Sequence, residues 1–290
     1  MKLSLRPAAR TVAIAGATAV ATLALAVPGV AMAHGHHSGH APARAVPAPP
    51  AQPTRADQIQ NLDQVKTAIK AYYGDTVDGT DPDGSPRHVP SATGAYANEM
   101  HGIEARAAGY LAARMHPWKH HDHVRPGDTT SGRPAIVLDV DDTTLNTYDY
   151  EIWSNFVYNP ASNATFVNDG AFPAVPYMPQ LVNWAADNGY TIFYLTGRPA
   201  SQLSGTVTNL TNVGYPAPVT GDVFLKDMSD PWLSSCAPNC TTIQYKSLTR
   251  AHIESLGYDI VGNFGDQYSD LKGGYADRAF KLPNPMYYLP

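Results

Sequence analysis

Cysteine is nearly absent from this 290-residue chain: only Cys236 and Cys240 occur, separated by three residues. Two thiols exclude a disulfide-dense scaffold, and no further ligand stands beside them to complete a zinc site. In an oxidising compartment they read as one local disulfide, which would stiffen a turn and stabilise little. Acidic residues are missing from the first 56 positions, and a second long apolar stretch is missing throughout. Basic residues are in deficit, 20 Lys and Arg against 25 Asp and Glu. An acidic chain repels phosphate backbones, so nucleic-acid binding is not expected as its main role.

What the N-terminus does contain fits an export signal. Lys2, Arg6 and Arg10 precede an apolar run from Val12 to about Val30, and Ala31-Met32-Ala33 closes it with a small-x-small pattern. The reading is a cleaved signal peptide over 1–33 rather than a retained membrane anchor. Cleavage would leave 17 basic against 25 acidic residues, a net charge near −8, on a secreted chain with no membrane segment. A His-, Pro- and Ala-rich tail over 34–56 cannot build a core and is expected to be disordered. Its histidines at 34, 36, 37 and 40 read as solvated.

From Asp57 to Pro290 the pattern is that of one folded domain. Ile59, Leu62, Val65, Ile69 and Tyr72 recur at helical spacing until Gly74, and a polar loop follows to about Pro90. A second helix carries Tyr96, Met100, Ile103, Ala107 and Tyr110. His116, His120, His121 and His123 fall in an expected loop and read as structural or exposed. Then strands and helices alternate: Ala135–Leu138, a helix from Pro179 to Asp187, Tyr190–Leu195, a helix lined by Leu203, Val207 and Leu210, Val223–Leu225, a helix up to Gly257, Tyr258–Val261, and Ala279–Leu282. Such alternation predicts an α/β fold, a Rossmann-like, doubly wound parallel sheet with helices on both faces. The N-terminal helices precede it, and a small insertion over 147–177 follows its first strand.

Ligands of open parallel sheets bind outside the carboxyl ends of the strands, and polar clusters stand at those ends. Asp139-Val140-Asp141-Asp142-Thr143 follows the first strand. Carboxylates two residues apart on a buried strand end are costly unless a charge compensates them, and hard oxygen donors suit Mg²⁺. Thr196-Gly197-Arg198 follows the second strand with a hydroxyl, a glycine and a guanidinium, a set suited to phosphate oxygens. Asp266 and Asp270 follow a later strand. Lys246, placed at a helix start, would not be singled out by spacing alone.

Asp, then Thr, then Lys, then an Asp pair, in that order, resembles the haloacid-dehalogenase superfamily. Within it the likeness is to the secreted acid phosphatases that include plant vegetative storage proteins and bacterial class B-like and class C-like enzymes. The matching stretches are LDVDDTTL from Leu138, FYLTGR from Phe193, Tyr245-Lys246-Ser247, IVGNFGDQYSD from Ile260 and FKLPNPMYY from Phe280. The resemblance implies an aspartyl-phosphate mechanism on small phosphomonoesters, with Asp139 as nucleophile and Asp141 as general acid and base. It implies Thr196 and Lys246 on the transferring phosphoryl group, with Thr143, Gly197 and Arg198 also at the substrate. Asp139, Asp141 through its main-chain carbonyl, and Asp266 would hold Mg²⁺, with Asp270 as a further ligand or a neighbour orienting one.

The 147–177 stretch stands where such proteins can carry a larger cap. Its aromatic residues read mostly as packing, with one or two left to form an apolar wall for the leaving group. Two other functions compete with hydrolysis: transfer of phosphate to an acceptor alcohol, and a storage or binding role with weak turnover. The presence of Asp139, Asp141, Thr196, Lys246 and Asp266 together favours an enzyme over the storage role.

Overall fold

The computed structural model describes residues 52–119 and 132–289. The expected signal peptide, nearly all of the tail, and His120, His121 and His123 lie outside the described residues.

Helix α1 (Leu62–Tyr73) starts where Asn61 accepts hydrogen bonds from the Asp63 and Gln64 amides and ends at Gly74 with φ of 65°. It begins later than the apolar spacing suggested. Ile59 lies before it, and both Ile59 and Leu62 are exposed, so Ile69 and Tyr73 supply its buried contacts. The expected polar loop contains an antiparallel hairpin, β1 (Thr76–Thr80) and β2 (Pro86–Val89). Its strands bury little, so they carry none of the alternation that reveals a strand in sequence. Helix α2 (Ala95–Lys119) runs longer than expected and takes the backbone of His116 with it.

The apolar runs that follow form a sheet. Strands β3 (Arg133–Leu138), β4 (Thr191–Pro199), β5 (Val223–Lys226), β6 (Tyr258–Gly265) and β7 (Ala279–Lys281) form it in the order β5-β4-β3-β6-β7, every pair parallel. The chain builds outward from β3 through β4 to β5, then returns to the other side of β3 for β6 and β7. The direction of winding therefore switches at the carboxyl end of β3, the place where such sheets leave a crevice.

Alternation along β3 divides the core. Ile136 and Leu138 pack with Ile103, Ala107 and Leu111 of α2 and with Leu181 and Val182 of α5 (Met178–Asp187). Ala135 and Val137 face the opposite side, against Tyr245 and Ile253 of α7 (Thr242–Ser255) and against Leu233. Burial on both faces explains why β3 reads as an unbroken apolar run. α7 starts at a capping box, with the Gln244 amide on the Thr241 hydroxyl and the Gln244 side chain returning to the Thr241 amide.

The insertion after β3 holds two short helices, α3 (Tyr148–Trp153) and α4 (Pro160–Asp169). Tyr148, Tyr150 and Phe172 are buried, and Tyr148 stacks on Tyr73 at 4.5 Å, which makes packing their role. Tyr158 is exposed. The insertion docks on α6 (Leu203–Asn212) by polar contacts. The Asn209 amide bonds both the N–H and the C=O of Phe172, at 3.1 and 2.7 Å. A Cβ on Gly205 would stand 2.8 Å from the Val167 carbonyl, so close backbone approach explains that glycine. Leu203, expected on the buried face of α6, is exposed, and Thr206 and Asn209 are buried in its place.

Candidate active site

The carboxyl end of β3 turns sharply. The Thr144 and Leu145 amides both donate to the Val140 carbonyl, and Asp142 takes φ of 53°. Asp142 closes this turn: its carboxylate accepts from the Thr147 amide (3.1 Å), the Thr147 hydroxyl (2.6 Å) and the Tyr287 hydroxyl (2.8 Å). Burial raises its pKa to about 7. The third Asp of the run is thus a structural member, and Asp139 and Asp141 are left to face the crevice.

Asp139 meets Asp266 and Asp270 there. Carboxylate oxygens of all three lie within 4.8 Å of one another, and all three residues are buried. Among the described residues one ammonium contacts two of them. Lys246, in the second turn of α7 rather than at its start, binds Asp139, lies 3.1 Å from Asp270, and donates to the Leu195 carbonyl at 2.5 Å. Its three N–H bonds are all spoken for. Burial works against the Lys246 charge, but Asp139 and Asp270 outweigh it and raise the pKa. Burial first, then Asp270, drives Asp139 well above the usual carboxylate range, with Lys246 opposing. Burial, Asp270 and Asp142 push Asp266 to about 7.

The two later carboxylates are clamped in place. Gln267 and Asn284 side-chain amides each donate to Asp266 Oδ2 at 2.7 Å, and the Thr143 hydroxyl reaches Oδ1 at 3.4 Å. Asp270 accepts from the Gln267 amide at 2.9 Å. A Cβ on Gly265 would fall 2.4 Å from the Asp270 Cβ, so only glycine lets β6 end this close to that carboxylate. Arg250, fully buried, donates to the carbonyls of Asp270, Lys272 and Gly274 and fixes the loop behind the cluster. Three carboxylates against one ammonium leave negative charge in a dry site, and every donor is oxygen. The set fits a hard divalent cation.

The β4 side is organised differently. Arg198 grips Asp141 in a fork, Nη2–Oδ1 at 2.6 Å and Nε–Oδ2 at 3.1 Å, while its Nη1 donates to the Thr206 hydroxyl at 2.9 Å. The Asp141 side chain therefore stands apart from the three clustered carboxylates, on the more open side, 30% exposed against 10% for Asp139. Coulomb attraction to a neighbour held by Thr206 explains the separation. Thr196 is buried, and its oxygen accepts the Arg198 amide at 3.1 Å, leaving its own O–H for a ligand. Tyr245 steadies the Thr196 carbonyl with a bond of 3.0 Å. Thr196, Gly197 and Arg198 continue β4 in extended form rather than turning. Gly197 is exposed, and a Cβ there would touch nothing within 4 Å, so its value is access, not conformational freedom.

Comparison with known proteins follows the same lines. Residues 88–290 match the profile described as HAD superfamily, subfamily IIIB (Acid phosphatase). The chain belongs to this family. Among its relatives, a stem 28 kDa glycoprotein of Glycine max is 34% identical over 171 residues, 57% of this chain and 62% of the relative. Acid phosphatase 1 of Solanum lycopersicum is 35% identical over 162 residues, 54% and 60% of the two chains. Vegetative storage protein 2 of Arabidopsis thaliana is 30% identical over 160 residues, 53% and 56%. The chain thus spans less than two thirds of the length of these curated relatives. In fold it is similar to a class C acid phosphatase from Bacillus anthracis solved with tungstate bound, at a TM-score of 0.53 and 20% identity. That likeness covers 78% of this chain and 86% of the other. The crevice residues described above fall inside the matched region.

Several residues of this crevice are not legible in the sequence. Gln267, Asn284 and Tyr287 lie in stretches whose likeness was noticed, yet polar residues in loops carry no pattern that assigns them to a carboxylate. Thr206 and Arg250 sit on helices, where a lone polar residue normally faces water. Glu151, in α3, is buried beside Asp141, and burial followed by the Asp141 charge raises its pKa to about 7.

Proposed function

We propose that the protein is a secreted phosphomonoesterase that hydrolyses small phosphate monoesters through an aspartyl-phosphate on Asp139. The observation that carries this reading is the trio Asp139, Asp266 and Asp270 gathered around Lys246 at the switch point of the sheet. Phosphoryl transfer asks for in-line positioning and charge neutralisation, and these groups supply both.

Asp139 attacks phosphorus through one carboxylate oxygen, and the bond from phosphorus to the ester oxygen breaks. Asp141, the more open of the two strand-end acids, gives a proton to the departing alkoxide and then takes one from the water that cleaves the acyl phosphate. Arg198 keeps Asp141 aimed into the crevice. The Thr196 O–H is free to bond a phosphoryl oxygen, and the open backbone at Gly197 lets that oxygen approach. Thr143, whose hydroxyl donates to Asp266, stands on the β6 side. Lys246 keeps Asp139 oriented and opposes the burial that raises its pKa, and a phosphoryl oxygen takes over one of its N–H bonds when substrate enters. Asp139, Asp266 and Asp270, with the Asp141 main-chain carbonyl, would hold Mg²⁺, which when bound offsets the charge of the phosphoryl oxygens.

The disulfide between Cys236 and Cys240 fits an oxidising compartment, and with the N-terminal pattern it supports export with cleavage after Ala33. We assign 34–56 to a tail and 57–290 to the catalytic domain, with 147–177 as its small cap.

The test is release of inorganic phosphate by the mature protein from nucleotides, sugar phosphates and aryl phosphates, with and without a chelator. We expect hydrolysis that chelation abolishes and Mg²⁺ restores, unchanged after deletion of 34–53. Undiminished turnover in chelator would sink the metal assignment; transfer of phosphate to added alcohols in place of release would make the protein a phosphotransferase.

A further inference from the structure

One acid near the site has no partner. Glu151 is 6% exposed, and its carboxylate accepts no hydrogen bond and joins no ion pair among the described residues. Its acidic neighbours are both satisfied, Asp141 by the Arg198 fork and Asp142 by Thr147 and Tyr287. Glu151 feels the charge of both and gains nothing in return. Its oxygens are not among the fully enclosed acceptors left unmet, so they keep a little contact with solvent, and a poorly hydrated acceptor of this kind gains from a ligand's donor. Packing does not explain the choice of residue, since Tyr148 and Tyr150 of the same helix fill their positions with rings.

We propose that Glu151 accepts a hydrogen bond from the substrate's leaving group, and so selects phosphomonoesters whose alcohol carries a hydroxyl or ammonium donor close to the ester oxygen. This rests on the phosphomonoesterase reading. Asp141 meets the ester oxygen in that reading, and Glu151 lies beside Asp141 on the side of the insertion. The atoms of the alcohol just beyond the ester oxygen therefore meet Glu151. A substrate without a donor displaces what little water reaches the acceptor and gives it nothing in return. Sites built around such a group discriminate by the missing bond rather than by shape. The insertion then does more than cover the core: it reads the alcohol.

The experiment compares 2-hydroxyethyl, 2-aminoethyl and ethyl phosphate on the mature protein, on Glu151→Gln and on Glu151→Met. In the wild type we expect the better donor-bearing ester to exceed ethyl phosphate in kcat/KM by about ten- to a hundredfold. Met, similar in length but unable to accept, should bring that ratio to within about twofold of one. Gln, which still accepts through its carbonyl, should retain the preference for the hydroxyl ester and lose most of any extra preference for the ammonium ester. Whichever ester leads in the wild type names the donor. A wild-type ratio of one, or a ratio undiminished in Met, overturns the proposal. Calorimetric binding of 2-hydroxyethyl-, 2-aminoethyl- and ethylphosphonate to the wild type repeats the comparison without turnover and without a variant. Discrimination among phosphonates with no ester hydrolysed would remove the phosphomonoesterase reading and keep Glu151 as selector. Hydrolysis of all three esters at one rate would do the reverse.

Discussion

The two sides of the crevice solve the same electrostatic problem in opposite ways. On the β4 side one carboxylate, Asp141, meets one guanidinium in a fork, and the charges cancel within the protein. On the β6 side Asp139, Asp266 and Asp270 stand together, Lys246 meets only Asp139 and Asp270, and charge is left over. A neutral pair is complete in itself, and its fork fixes how the Asp141 carboxylate faces the crevice. An unbalanced, buried cluster is incomplete, and its carboxylates drift toward protonation until a cation arrives. On the function proposed above, the difference divides the tasks: metal on the β6 side, proton transfer on the β4 side.

The harshest way to break this division is Asp139→Asn, which keeps shape and removes the nucleophile. We expect turnover to fall by about four orders of magnitude or more with an unchanged thermal unfolding profile. Retention of a tenth of wild-type activity would be fatal to the assignment. The division itself is sharpened by a matched pair of variants. Asp266→Asn should weaken Mg²⁺ binding by about ten- to a hundredfold, as metal-site changes commonly do, and Arg198→Met should leave that affinity within about twofold while still lowering turnover. Calorimetric titration with Mg²⁺ reads both; equal losses would merge the two sides into one site.

A smaller effect should appear in stability against pH. Burial raises Asp266 and Asp142 to about 7 in the metal-free fold, from an unfolded value of about 4. Between those values the folded chain holds more protons than the unfolded one. This stabilisation is therefore full at the acid end and is lost as pH rises from about 4 through about 7. Saturating Mg²⁺ should flatten the Asp266 share and leave the Asp142 share, so Tm should fall less steeply with pH when the metal is present. Parallel curves with and without Mg²⁺ would place the ion elsewhere. The smallest change belongs to a region remote from both sides. Replacing Cys236 and Cys240 by Ser should cost about 2 kcal/mol or less, since the loop they close is so short, and kcat should hold.

How far the sequence foretold this arrangement follows from what kind of signal each element carries. β3, β4 and β6 were legible because strands buried on both faces write continuous apolar runs. The hairpin of β1 and β2 was not, because its exposed strands write no pattern, and α6 misled because it buries Thr206 and Asn209 where a leucine was expected. Asp139 and Asp266 could be read from their places at strand ends. Lys246 could not: 107 residues separate it from Asp139, and only the family resemblance picked it out. The Arg198 fork on Asp141 spans 57 residues and likewise follows from tertiary packing alone. Glu151 gave no signal, since a carboxylate on a short helix reads as surface.

The sheet ends in its shortest strands, four residues in β5 and three in β7, flanking the longer β4, β3 and β6. A strand of three or four residues offers a second chain few free N–H and C=O groups to pair with, and so a poor template for edge-to-edge growth. The architecture that gathers carboxylates at its centre thereby also guards its margins against aggregation.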